Sequence, residues 1–212
     1  TVVVFTTEHG IAFPRAKGNC YDAGLEAALV MRVPGVADDG RRYDELLSNV
    51  DVLPTLLDLL DIDVPDRVGG RSFLELLTDG EYEPRERVFA EMTWHDMYNP
   101  VRAIRTERYK YVRSFWRLPK VYLPRDIFAS ESGREVRETY GVPTRQYEEL
   151  YDLRETPQED ENVVSEPRYQ DAREALSRQL HEWMAETDDP LLDGPVVPGN
   201  YEQLRQWPHE SA

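Results

Sequence analysis

Three ionisable residues near the amino end carry the first chemical signal. Glu8 and His9 stand side by side after the apolar run Val2-Val3-Val4-Phe5 and the pair Thr6-Thr7, and Lys17 follows eight residues after His9. An adjacent carboxylate and imidazole can ligate a metal ion or act as an acid/base pair. The same two residues also suit a solvated strand end. Lys17 lies in a segment punctuated by Gly10, Pro14, Gly18 and Gly24. The chain holds three lysines (Lys17, Lys110, Lys120) among 25 basic residues, which leaves 25 − 3 = 22 arginines. A lysine kept in that background suits a role for a compact point charge, as in holding an anion, although a solvated lysine is the commoner case.

The elements that must position these groups follow from periodicity. Val2 to Phe5 is short and β-branched, the pattern of a strand buried on both faces, as in a parallel sheet. Ligands bind outside the carboxyl ends of such strands, where Glu8 and His9 stand. Glu26–Val33 reads as a second buried strand stopped by Pro34-Gly35, and Leu46–Asn49 as a short edge strand. Asp51 is placed to cap a helix that tolerates Pro54 in its first turn. Val52, Leu53, Leu56, Leu57, Leu59 and Leu60 give that helix a wide apolar face. Gly69–Leu77 reads as a turn plus a short helix.

After a linker over Gly80–Glu86 the pattern changes. Arg87–Thr93, Val101–Thr106 and Tyr109–Phe115 are strands with short turns, which predicts an antiparallel sheet and a domain boundary near residue 84. Trp116–Glu148 shows no clear period and reads as a long loop with a short helix near 131–140; loops of that length are usually functional or disordered. Glu149–Leu153 is a further short strand. Tyr169–Glu186 is amphipathic, with Ala172, Leu176, Leu180, Trp183 and Met184 facing a core and His181 an ordinary helix residue. Residues 191–212 form a Pro-rich tail.

Composition narrows the partners. A net charge of −16, from 41 acidic and 25 basic residues in 212, disfavours nucleic acid, whose binders carry a basic footprint. No apolar run reaches 18 residues, so no spanning helix is expected. The acidic, arginine-rich and lysine-poor composition is halophile-like. The one cysteine, Cys20, excludes an internal disulfide and is expected as a small buried residue. Thr1 lies inside an expected strand, so the chain reads as the carboxyl-terminal part of something longer. Localisation is left open, with the cytoplasm as the default.

Thr6-Thr-Glu-His-Gly10, then Lys17-Gly-x-x-Tyr21-Asp22-x-Gly24, then a strand ending in Val33-Pro34-Gly35, resembles the sulfatase family of the alkaline phosphatase superfamily. Gly10-Ile-Ala-Phe-Pro14 and Trp183–Pro190 look most like the heparan N-sulfatase (sulfamidase) branch. Asn49–Leu60, Gly69–Leu77, Arg102–Arg105, Tyr109–Val112 and Glu149–Leu153 resemble structural landmarks of the same family. The resemblance implies an α/β fold, with residues 1–83 as part of an alkaline-phosphatase-like sandwich with a mostly parallel sheet. Residues 84–190 would form a small antiparallel α+β subdomain.

It implies metal ligands at Glu8 and His9, on a divalent ion expected to be calcium, with manganese or magnesium as alternatives. It implies sulfate contact at Lys17. His95, with Asp96 beside it, falls near a His–acid pair that faces the sugar in the sulfamidase branch. Arg15 and Arg102 are further candidates for holding a polyanionic sugar. The family's nucleophile is a formylglycine made in a Cys/Ser-x-Pro-x-Arg motif, and no such motif occurs in these 212 residues. Glu8 stands where the family has Asp, which moves the carboxylate one methylene outward.

The implied activity is hydrolysis of a sulfate ester or sulfamate on a sugar or aryl group, with the nucleophile supplied from outside this chain and the chain inactive alone. A phosphonate or phosphate diester hydrolase of the same superfamily and a non-catalytic sulfatase-like binding module are the alternatives. A homodimer is compatible with the sequence, but nothing in it sets one.

Overall fold

The computed structural model describes residues 1–37, 40–116, 119–141 and 144–197. The chain runs β1 (Val3–Thr6), α1 (Asp22–Leu25), β2 (Leu29–Arg32), α2 (Val52–Leu59), α3 (Leu74–Leu77), β3 (Arg87–Trp94), β4 (Tyr98–Thr106), β5 (Tyr109–Ser114), α4 (Arg125–Ala129), α5 (Glu131–Gly141), β6 (Glu148–Asp152) and α6 (Gln170–Glu186). The result is a mixed α/β fold with a four-stranded antiparallel sheet, ordered β3-β4-β5-β6, and a separate two-stranded sheet.

The larger sheet is a meander whose register explains both of its faces. Phe89 pairs with Ile104, Ile104 with Tyr111, and Tyr111 with Leu150, so one apolar row crosses all four strands. That row packs on α6, whose Leu176, Leu180 and Met184 recur every four residues on one stripe. Phe89 stacks flat on Trp183, with centroids 4.8 Å apart. The next row, Ala90-Ala103-Val112-Glu149, faces the other way. Small residues there let the loop around Cys20 settle on the sheet.

Three sequence expectations change. β1 pairs antiparallel with β2, not as a parallel strand buried on both faces, and Phe5 is 59% exposed. A β-branched run specifies extended backbone, while its partner and its cover come from elsewhere in space. Leu46–Asn49 is not a strand. Ser48 instead donates its backbone N–H to the Asp51 carboxylate (2.9 Å) and opens a single 3₁₀ turn, Asn49–Asp51, that leads into α2. Trp116–Glu148 carries the helix expected near 131–140, α5, and is otherwise not a plain loop, since it adds a second helix, α4, and a buried stretch, Val121-Tyr122-Leu123. Residues 198–212 of the expected tail lie outside the described residues.

The Asp51 side chain does not cap α2 as expected; it closes the capping box that Ser48 opens on the 3₁₀ turn. It is fully buried and also accepts from the Arg71 backbone N–H (2.9 Å) and from Arg85 Nη2 (2.5 Å). It thereby ties the start of α2 to the 69–73 turn and to the linker. The α2 face it anchors is only partly covered, with Leu53, and Leu60 just past the helix end, exposed.

Candidate functional site

The loop between β1 and β2 is held to the sheet residue by residue. Cys20 rests on Val101, Ala103 and Val112, and burial pushes its thiol pKa up to about 11, which makes it an inert packing group. The Tyr21 hydroxyl donates to Glu149 Oε2 (2.8 Å), an oxygen that Tyr151 also reaches at 2.7 Å. Asp22 Oδ1 meets the fully buried Lys110 Nζ at 2.5 Å, and Oδ2 meets Arg105 Nε at 3.2 Å. Burial opposes charge on Asp22, but Lys110 and Arg105 outweigh it and hold the carboxyl below the usual aspartate range. Gly24 sits where a Cβ would fall 2.2 Å from the Ala16 carbonyl oxygen, so the loop closes on itself only with glycine there.

Within this motif the Lys17 side chain enters a polar cluster. Its Nζ is 2.7 Å from Asp126 Oδ2 on α4. The hydrogen bond to Asp126 raises the Lys17 pKa, and Glu8 and Asp96 are near enough to add to the effect. Lys17, Glu8, Asp96 and Asp126 therefore share one electrostatic neighbourhood.

His95 and Asp96 occupy the β3–β4 turn. His95 Nδ1 lies 3.1 Å from Asp96 Oδ1. The other carboxylate oxygen accepts from the Tyr122 hydroxyl (3.2 Å) and from the Arg125 backbone N–H. That backbone N–H is the main reason the Asp96 carboxyl titrates below the usual range. Tyr122 OH in turn accepts from the Asp96 N–H at 3.1 Å. With Nδ1 turned to Asp96, the other ring nitrogen, Nε2, is the one left for a ligand.

Tyr122 also joins this turn to the lysine loop. Asn19 Nδ2 donates to the Tyr122 carbonyl (2.9 Å) and to the Lys17 carbonyl (3.1 Å). Gly18, at φ +75°, packs so closely that a Cβ would lie 2.7 Å from Pro124 Cγ and 3.0 Å from the Tyr122 ring. The Lys17 and His95 segments are thus two sides of one packed unit.

Glu8 and His9 lie just beyond the carboxyl end of β1, as expected. His9 Nδ1 is 2.7 Å from the Gly10 carbonyl oxygen, which favours the proton on Nδ1 and leaves the Nε2 lone pair 3.5 Å from Glu8 Oε1. Two lone-pair donors facing each other fit one side of a cation site. No group of three or more His, Cys, Asp or Glu able to hold a metal occurs among the described residues, so this pair alone falls short of a full coordination shell.

Two arginines expected at the substrate are committed elsewhere. Arg15 donates to the Gln158 carbonyl (2.7 Å) and the Glu159 carbonyl, and its guanidinium lies over the Tyr21 ring at 4.2 Å. Arg102 is buried in a bidentate pair with Asp189 (Nε–Oδ2 2.5 Å, Nη2–Oδ1 3.0 Å). Neither role is legible from a one-dimensional pattern. Tyr122 and Asp126 were not singled out by sequence; the only hint was that the aperiodic stretch containing them was too long for a bland loop.

Comparison with known proteins gives the family of the chain. A family model described as N-sulphoglucosamine sulphohydrolase, C-terminal, matches residues 8–143. An ulvan-active sulfatase of Formosa agariphila is 30% identical over 205 residues, covering 92% of this chain and 40% of that protein. The N-sulphoglucosamine sulphohydrolase of Homo sapiens is 29% identical over 225 residues, covering 92% and 43%. A solved 2-O GAG sulfatase superposes with a TM-score of 0.69 at 24% identity, covering 94% of this chain and 39% of that one, a likeness of fold. The chain belongs to the sulfatases, in the family of the N-sulphoglucosamine sulphohydrolase carboxyl-terminal region. It spans about two fifths of the length of these relatives.

Proposed function

We propose that this chain supplies the anion-binding and proton-donating side of a hydrolase acting on sulfate esters or sulfamates of sugars. The observation that carries the reading is the convergence of Lys17 and the His95–Asp96 pair on the Tyr122 segment, in a chain of this family. Lys17 Nζ would hold the sulfate oxygens and offset charge that grows as the S–O or S–N bond breaks. His95, held through Nδ1 by Asp96, would deliver a proton from Nε2 to the departing sugar oxygen or nitrogen. Asp96 and Tyr122 would be positioning residues, and Arg15, through its bonds to the Gln158 and Glu159 carbonyls, would position the loop.

Glu8 and His9 would hold one side of a divalent cation, which when bound polarises the sulfate; calcium is the expected ion, with manganese or magnesium as alternatives. The nucleophile, expected as formylglycine, has no counterpart motif in this sequence. The sulfated sugar is supported by the names of the relatives, an ulvan-active sulfatase and an N-sulphoglucosamine sulphohydrolase.

The test is the intact native protein carrying this chain, assayed on N-sulfoglucosamine, p-nitrophenyl sulfate and bis-p-nitrophenyl phosphate. His95→Ala is expected to lower kcat on the sulfated sugar by about 10²–10⁴-fold, the usual worth of a proton donor. Lys17→Ala should raise KM and lower kcat together, with incomplete rescue by Lys17→Arg. Turnover of the phosphodiester alone would replace the reading with the diester-hydrolase alternative. Sulfated-sugar binding without turnover would leave a binding module.

A further inference from the structure

The turn that carries His95 and Asp96 also carries aromatic rings that the site above does not use. Trp94 ends β3 and pairs with Tyr98 at the start of β4, their ring centroids 5.0 Å apart. Trp116, two residues past β5, meets the same Tyr98 ring edge-on at 5.9 Å. Trp94 is 42% exposed and Trp116 50% exposed, and Met97 at the turn's tip is also exposed. The cluster is held in place, because the Tyr98 hydroxyl accepts from the Val196 backbone N–H at 3.1 Å. Two half-open indoles packed on one anchored tyrosine form a contiguous aromatic surface.

The chemistry selects the occupant. An aromatic face is apolar with a negative quadrupole, and the C–H face of a pyranose ring is apolar and slightly positive. Such stacking needs no charge. That matters on a chain of net charge −16, which repels the rest of a polyanionic glycan. Trp94 directly precedes His95, and consecutive Cα atoms lie about 3.8 Å apart, so the backbone that carries the indole adjoins the backbone that carries the imidazole. We propose that Trp94 and Trp116, braced by Tyr98, form a stacking subsite for the sugar next to the one whose sulfate Lys17 holds. This deepens the functional reading above and rests on it.

The experiment compares a heparin-derived tetrasaccharide ending in N-sulfoglucosamine with free N-sulfoglucosamine, using the intact protein. Trp94→Ala and Trp116→Ala should each lower the ratio of kcat/KM for tetrasaccharide over monosaccharide by about two- to tenfold, the range for an aromatic contact. Trp94→Phe, which keeps a ring, should preserve most of the ratio, and far-UV circular dichroism checks that each variant folds. An unchanged ratio in both alanine variants overturns the subsite and leaves the sulfatase reading intact. So does a wild-type dimer that falls to monomer in either variant, which would make the rings a self-interface.

If the wild type turns over neither sugar, the functional reading fails by itself. The subsite is then decided by tryptophan fluorescence titration with the same tetrasaccharide. A saturable change lost in the alanine variants supports it, and no saturable change in the wild type overturns it.

Discussion

At the scale of single residues, Asp126 is the most informative neighbour of the site. Its carboxylate sits 2.7 Å from Lys17 Nζ, where a sulfate oxygen is expected to bind. The pair raises the Lys17 pKa and lowers that of Asp126, so both are charged at neutral pH. Removing the competing anion in Asp126→Asn should tighten inhibition by free sulfate roughly two- to fivefold, the modest worth of an exposed pair. A weaker sulfate inhibition constant would mean instead that Asp126 serves to hold the lysine in place. Lys17 was readable in sequence because lysine is rare here and its motif is dense in glycine. Asp126 was not, since it lies 109 positions away and its only link to Lys17 is spatial. Arg15 shows the opposite case: a loop arginine two residues from Lys17 invites a binding role, yet backbone carbonyls of residues 158 and 159 claim it.

At the scale of elements, the joint around Asp51 carries the clearest prediction. One buried carboxylate serves the backbone of Ser48 and Arg71 and the side chain of Arg85. Asp51→Ala would leave Arg85 without its partner and two backbone donors unpaired. The expected loss is about 3–5 kcal/mol by urea denaturation, the cost of breaking one half of a buried pair. A conventional exposed cap would cost nearer 1 kcal/mol, so the measurement separates the two roles. The sequence showed the helix, because Pro and the leucine spacing are local signals, but the side-chain cap expected of Asp51 on α2 is not made. Nor did the sequence show the joint, since Arg71 and Arg85 lie 20 and 34 positions on. The same division holds for the strands. β3 to β5 were legible from their short turns, which fix antiparallel pairing locally, whereas β6 was legible as a strand but its pairing with β5 spans residues 115–147. The β1–β2 pairing was not legible, because a four-residue apolar run is equally at home in either kind of sheet.

For the whole molecule, the ion pairs that lock loop to sheet predict how stability responds to acid. Asp22, Asp152 and Asp189 all titrate below the usual aspartate range. In Asp152 the largest cause is the hydrogen bond from Arg108, and in Asp189 the Arg102 pair overcomes burial. A depressed carboxyl stabilises the fold fully above its unfolded value, about pH 3.9. That stability is lost as pH falls through the folded value. Glu159 runs the other way: burial raises its pKa despite Lys110, so its share is present at low pH and lost as pH rises through the raised value. Asp96, Asp126 and Glu148 are depressed as well, and with these six against the raised Glu159 the denaturation midpoint should be flat near neutrality and fall below about pH 4. A midpoint that stayed level down to pH 2 would sink this account. Composition alone gave the acidity of the surface, but not which carboxylates are paired, because pairing depends on the register of β4, β5 and β6.

The two-stranded sheet of β1 and β2 has a consequence for the chain as a colloid. Val3, Phe5 and Val30 stand exposed on a ribbon that has no third strand among the described residues. Such a ribbon attracts its own copies at short range, while sixteen excess negative charges push those copies apart at long range. Dissolved salt sets the balance: at about 0.01 M the repulsion extends roughly 30 Å, and at about 1 M it has shrunk to roughly 3 Å, inside the reach of the sticky edge. Free in solution, this chain is therefore best dispersed in dilute buffer and clusters as the ionic strength rises.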